Sequence, residues 1–197
     1  EELPKYWITL KDELVEHLSS LSRGKDILSI GCGNGYVEYK LLEKKIPRSI
    51  VAIEPGSISS KWIDNKKIKL FDGFFPQAIE GKYEATDFSL VYASGIDYVF
   101  TNDEYLDFLK SVVDFGCDEF LLTEIFVPSD SLQSVLLHYC KSIVKPFFEV
   151  LGLYSKGQFW GYLRTVNEHK KFLTKAGFDN FEVGSYEHGA HWIIAKK

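Results

Sequence analysis

Asp26-Ile27-Leu28-Ser29-Ile30-Gly31-Cys32-Gly33-Asn34-Gly35 reads as a short apolar strand running into a turn with three glycines. A helix-like segment follows, with Val37, Leu41 and Leu42 on its inner face. A strand, a glycine-rich turn and a helix N-terminus together bring bare backbone N–H groups up to a ligand, so the unit reads as a nucleotide-type site. The spacing decides which kind. Dinucleotide sites use G-x-G-x-x-G, whose third glycine lets helix and strand approach closely. Here the turn is Gly31-x-Gly33-x-Gly35, and Tyr36 stands at the third dinucleotide position.

The segments downstream extend the pattern. Ser49-Ile50-Val51-Ala52-Ile53-Glu54 reads as a second strand ending in a carboxylate, and Pro55 follows it. An acid there can accept hydrogen bonds from both hydroxyls of a ribose. Lys67-Ile68-Lys69-Leu70-Phe71-Asp72-Gly73 reads as a third strand, with Phe74, Phe75 and Pro76 as an apolar wall behind it. A fourth strand and its loop run from Phe88 to Tyr98.

With these motifs the chain resembles the class I S-adenosylmethionine (SAM) dependent methyltransferases, over roughly Lys25 to Phe126 and again from Arg164 to the end. The resemblance implies that Gly31, Cys32, Gly33 and Gly35 wrap the methionine part of SAM. It implies that Glu54, with Pro55 beside it, holds the ribose. Asp72 and Gly73 would meet the adenine, Tyr92 and Ala93 the cofactor from the fourth strand, and Asp97 and Tyr98 the acceptor side. Two positions depart from the family. Ser29 stands two residues before the first glycine and Ser89 near the fourth strand, where the family commonly has carboxylates. The first of those acids helps organise the methionine end of the site.

The rest of the chain fits a single α/β domain over 1–197. Leu10, Leu14, Leu18 and Leu21 share a helical face within 1–24, with Thr9 as expected N-cap and Arg23-Gly24 as stop. Asn102 is the expected cap of a helix carrying Tyr105, Leu106, Leu109, Val112 and Val113. Glu119 to Val127 reads as a fifth strand stopped by Pro128. Thr165-x-x-Glu168 is a capping box opening a helix that Gly177 ends. Two closing strands, Phe178 to Tyr186 and Ala190 to Ala195, flank Glu187-His188-Gly189. The expected fold is therefore α/β, Rossmann-like and doubly wound. Its seven-stranded, mostly parallel sheet ends in a C-terminal antiparallel hairpin. An N-terminal helix and a helical lid insertion over 128–163 complete it. The lid's glycines and aromatics suit a cover over a substrate.

Composition narrows the chemistry. The 197 residues carry a net charge of −5, with 45% hydrophobic and 26% charged residues. That balance, without a long basic run, argues against a nucleic-acid partner. No apolar run approaches a membrane span, and no signal peptide opens the chain. Cys32, Cys117 and Cys140 have no metal-type spacing and fit a reducing cytoplasm. Neither they nor His188 and His191 suggest a metal site. Methyl transfer from SAM, leaving S-adenosylhomocysteine, to an oxygen or nitrogen of a small molecule is the expected reaction. Trp7, Tyr98 and Trp160 are candidates to hold the acceptor, and Asp97 and His138 candidates for a general base. Two alternatives stay open: a SAM-binding scaffold without catalysis, and an NAD(P)-dependent oxidoreductase with a degenerate glycine loop.

Overall fold

A computed structural model describes residues 4–56, 67–125 and 162–197. Helix α1 (Lys5–Ser22) leads into β1 (Asp26–Ile30), α2 (Tyr36–Glu43), β2 (Ser49–Glu54) and β3 (Ile68–Asp72). Then come β4 (Leu90–Ser94), a short 3-10 turn (Asp97–Val99), α3 (Asn102–Asp114) and β5 (Glu119–Ile125). Helix α4 (Val166–Ala176) precedes the closing strands β6 (Asn180–Ser185) and β7 (His191–Lys196). The seven strands form one sheet in the order β3-β2-β1-β4-β5-β7-β6. All neighbours from β3 to β5 are parallel, β7 is antiparallel to β5, and β6 is antiparallel to β7. The expected doubly wound sheet with its terminal hairpin is present.

Successive strand residues point to opposite faces, and here both faces are apolar. One face carries Leu28, Ile30, Val51, Val91 and Phe120 and is covered by Tyr105, Leu109 and Val112 of α3 and Leu173 of α4. The other carries Ile27, Ile50, Ala52 and Leu121 and is covered by Leu14 and Leu18 of α1 and Val37 and Leu41 of α2. Two helix layers bury the apolar side chains of both sheet faces. Polar chemistry is pushed to the ends of the strands.

Two expected caps fall elsewhere. Helix α1 starts at Lys5 behind Pro4, and the Thr9 hydroxyl donates to the Lys5 carbonyl at 3.2 Å inside the helix. Proline's fixed φ suits a helix start, so the start moves about one turn upstream. Helix α3 is capped by Thr101, not Asn102. The Thr101 hydroxyl accepts from Glu104 N–H at 3.3 Å, and the Glu104 carboxylate accepts from Thr101 N–H at 2.9 Å. A reciprocal box satisfies two end groups where Asn102 alone would satisfy one. The side chain of Asn102 is released to accept from Arg164. The box on Thr165 and Glu168 forms as expected, and Gly177 ends α4 with φ 120°.

His169 on α4 makes a testable contribution to stability. It has no solvent exposure, accepts or donates with the Tyr105 hydroxyl at 2.7 Å through Nδ1, and brings Nε2 within 3.5 Å of Asp97. A neutral ring with its proton on Nε2 suits both neighbours. Burial, reinforced by the Arg164 cation, pushes its pKa down to about 3 from 6.5. The unfolded chain therefore takes up this proton as pH falls below 6.5 while the folded chain does not, so folding weakens with acid. Burial lifts Asp97 to about 6, which acts in the opposite sense, but that group is present with or without His169. Between pH 7 and about pH 5, wild type is expected to lose about 2 kcal/mol of stability relative to His169→Phe. Urea unfolding of both proteins at the two pH values checks this; parallel pH profiles would exclude it.

Candidate functional site

Strand order reverses between β1 and β4, because β2 lies on one side of β1 and β4 on the other. In open α/β sheets the crevice beyond the C-terminal ends of such strands receives ligands. A cavity of about 660 Å³ opens there, within the range of about 300–1,000 Å³ for small-molecule pockets.

The glycine turn forms one wall. Gly31 has φ 76° and donates its N–H to the Ile53 carbonyl at 2.8 Å. A Cβ there would sit 2.4 Å from Cγ2 of Ile96, so both the left-handed backbone and the Ile96 side chain demand glycine. Gly33 donates its N–H to Oε2 of Glu54 at 2.8 Å, and Gly56 donates to Oε1 at 3.0 Å. Glu54 thus ties β2 to the turn while lining the cavity. Each of its oxygens keeps a further lone pair for a ligand hydroxyl. Gly35, also left-handed, is the N-cap of α2 and stands behind the cavity wall.

Tyr36 explains why a bulky residue is tolerated after this turn. Its ring packs edge-on against Trp7 at 5.4 Å, and its hydroxyl donates to Asp12 at 2.9 Å. It binds α1 to α2 and brings Trp7 and Lys11 to the cavity. Lys11 in turn pairs with Glu124, which also accepts from the Ser94 hydroxyl. Glu124 has φ 55° at the register shift in β5. This bulge turns its carboxylate toward Lys11 and Ser94, where a regular strand would continue the alternation.

Of the residues expected at the site, Gly31, Cys32, Gly33, Glu54, Pro55, Gly73, Trp7 and Tyr98 all line the cavity. Burial pushes the Cys32 thiol far up, with the Glu38 and Glu54 carboxylates adding to it, so it stays protonated and acts as a small wall residue. Asp72 is exposed at the end of β3, in register with Glu54, and is not on the wall. Tyr92 and Ala93 are fully buried in β4 and do not reach the cavity. Strand alternation sends these two to opposite core clusters. Asp97 is only 1% exposed and faces His169 and Arg164 beneath the loop after β4, away from the cavity wall. The structure thus places the expected base candidate in the interior and not on the cavity wall. His138, Trp160, Cys140 and nearly all of the expected lid lie outside the described residues.

Ser94, Ile96, Phe100, Phe108, Lys11 and Glu38 also line the cavity without having been singled out in the sequence. Lys11 carried a signal: it lies one helical turn from Trp7, on the same face. Glu38 is 2% exposed, and its Oε1 accepts from the Ser29 hydroxyl and the Tyr92 hydroxyl, each at 2.6 Å. Burial raises its pKa, against which these two donors favour the ionised form. Ser29 therefore does not leave this part of the cavity without an acid nearby; it anchors one that arrives from α2.

The sheet order and the position of the turn are those of the class I SAM-dependent methyltransferase fold. Human N-acetylserotonin methyltransferase in complex with SAM superposes with a TM-score of 0.68 at 15% identity, covering 98% of this chain and 53% of that one. The N,N-8-amino-8-demethyl-D-riboflavin dimethyltransferase of Streptomyces davawensis gives 0.67 at 13% identity, with coverages of 98% and 55%. In sequence, the tRNA U34 carboxymethyltransferase of Helicobacter pylori strain P12 is 24% identical over an alignment of 184 positions that covers 89% of this chain. The chain spans 64% of the length of that relative. No protein-family model matches the chain. Among the described residues, no helix is long and apolar enough to cross a membrane.

Proposed function

We propose that the protein is a SAM-dependent methyltransferase that methylates an oxygen or nitrogen atom of a small molecule. The observation that carries the reading is Glu54. Its carboxylate faces the cavity from the C-terminal end of β2 while gripping the N–H of Gly33, so ribose acid and glycine turn act as one unit. SAM, when bound, supplies a methyl group made electrophilic by its sulfonium. The chain's own task is to align an acceptor with that methyl and exclude water. Trp7, Phe74, Phe75, Tyr98, Phe100 and Phe108 supply an apolar wall for both tasks. Phe74 is 70% exposed, which fits a rim residue that a ligand would cover. With Asp97 sealed away and Cys32 protonated, the reading is catalysis by proximity, without a general base from either residue.

Calorimetric titration with S-adenosylhomocysteine, with NADH and NADPH in parallel, tests the cofactor. Micromolar binding of S-adenosylhomocysteine alone is the expected result. Binding of a nicotinamide cofactor in its place would overturn the reading. Turnover of labelled SAM with candidate acceptors then separates an enzyme from a binding scaffold.

The similarity to tRNA U34 carboxymethyltransferases, which runs over 89% of this chain, supports a second reading in which the acceptor is a tRNA. The net charge of −5 weighs against it, because polyanion binding draws on basic surface. Label transfer to unmodified tRNA, compared with a panel of phenols and amines, decides between the two.

A further inference from the structure

We infer that Glu38 is the residue that receives the ammonium group of the cofactor's amino-acid moiety, in place of an acid at Ser29. The inference deepens the SAM reading and rests on it. Three observations support it. Glu38 lines the cavity immediately beside the glycine turn, on the first turn of α2. Its carboxylate is held rigidly, since the Ser29 and Tyr92 hydroxyls both donate to Oε1 at 2.6 Å from β1 and β4. Its second oxygen, Oε2, is buried and accepts no hydrogen bond among the described residues.

A buried carboxylate oxygen without a donor is costly unless a partner arrives. Among the described residues Lys11 is the cation on the cavity wall; it favours the ionised Glu38 at a distance but is paired directly with Glu124. None of the described residues donates to Oε2, which leaves that oxygen for a donor from the ligand. SAM has two cationic centres, but a sulfonium carries no proton to donate. The ammonium carries three, so it is the group that satisfies Oε2. The arrangement also accounts for Ser29. A carboxylate on β1 at that position would lie against Glu38, and two buried acids at hydrogen-bond distance oppose one another's ionisation. Serine removes the repulsion and contributes a donor. The acid has moved from strand to helix, and both positions converge on one point beside the turn.

A ligand-deletion cycle tests this. Affinities of wild type and Glu38→Gln are measured by calorimetry for S-adenosylhomocysteine and for its deaminated analogue, in which hydrogen replaces the amino group. Glutamine keeps an oxygen to accept from Ser29 and Tyr92 and loses the charge. In wild type, removing the amino group is expected to cost at least about tenfold in affinity. In Glu38→Gln that same deletion is expected to cost little, because the partner is gone. Equal losses in both proteins would place the ammonium elsewhere and overturn the assignment. Should the variant fail to fold, wild type alone still decides: undiminished affinity for the deaminated analogue overturns it. If wild type binds neither ligand, the SAM reading falls and this inference with it, an outcome distinct from tight binding that is indifferent to the amino group.

Discussion

Arg164→Ala is expected to destabilise the fold by about 3–5 kcal/mol, the cost typical of breaking a buried charged network. Arg164 is 3% exposed. Its guanidinium donates to the carbonyls of Asp97 and Phe100, each at 2.8 Å, and of Tyr162 at 3.0 Å. It also holds Oδ1 of Asn102 and lies 4.5 Å from the centroid of the Tyr105 ring. Alanine would leave three carbonyls without these donors and an apolar gap between α3 and α4. Lysine would not repair the damage, because one ammonium cannot reproduce a planar fork that serves several acceptors. The loop pinned in this way carries Ile96, Tyr98 and Phe100 to the cavity. Loss of stability in Arg164→Ala should therefore be accompanied by weaker ligand binding in whatever fraction stays folded. Urea unfolding gives the first quantity and calorimetry the second. A variant within about 1 kcal/mol of wild type would show that the loop is held by other contacts.

Glu54→Ala should weaken binding of S-adenosylhomocysteine by about 1–3 kcal/mol, the range for charge-assisted hydrogen bonds. Part of that loss has its origin in the free protein. Glu54 accepts from Gly33 and Gly56 before any ligand is present, so removing it also loosens the turn that the ligand must meet. Glu54→Gln separates the two effects. The amide can still accept from one backbone N–H but forfeits the charge and one acceptor, so its loss should lie between wild type and alanine. Wild-type affinity in a folded Glu54→Ala protein would remove the ribose assignment. It would leave the acid with a purely structural role in ordering the turn.

The Gly31-to-Gly35 turn, the acid at Glu54 and the capping role of Glu168 depend on neighbours within a few residues or on a repeated strand pattern. Such features are visible in one dimension because their physics is local. The same holds for the alternation of strands and helices, and for the terminal hairpin around Gly189. Register and burial are different. Tyr92 and Ala93 sit on a strand that leads to the site, yet pairing with β1 and β5 buries both side chains in the core. Asp97 follows that strand but is folded under its loop by Arg164, a residue far along the chain.

By itself, then, the sequence determined a doubly wound α/β domain and the strand ends at which a ligand would be met, because periodicity, glycine spacing and helix caps are short-range constraints. Only the tertiary structure decided which polar groups gather at and behind those strand ends. Ser29, Glu38 and Tyr92 come from three different elements, as do Lys11, Ser94 and Glu124. Neither set has a spacing to read. They meet because the parallel strands align their C-terminal ends on one edge, while the bulge in β5 and the packing of α1 on α2 aim side chains at that edge. A buried carboxylate then has to find its donors across the sheet, where each unmet bond carries a cost that local sequence does not record.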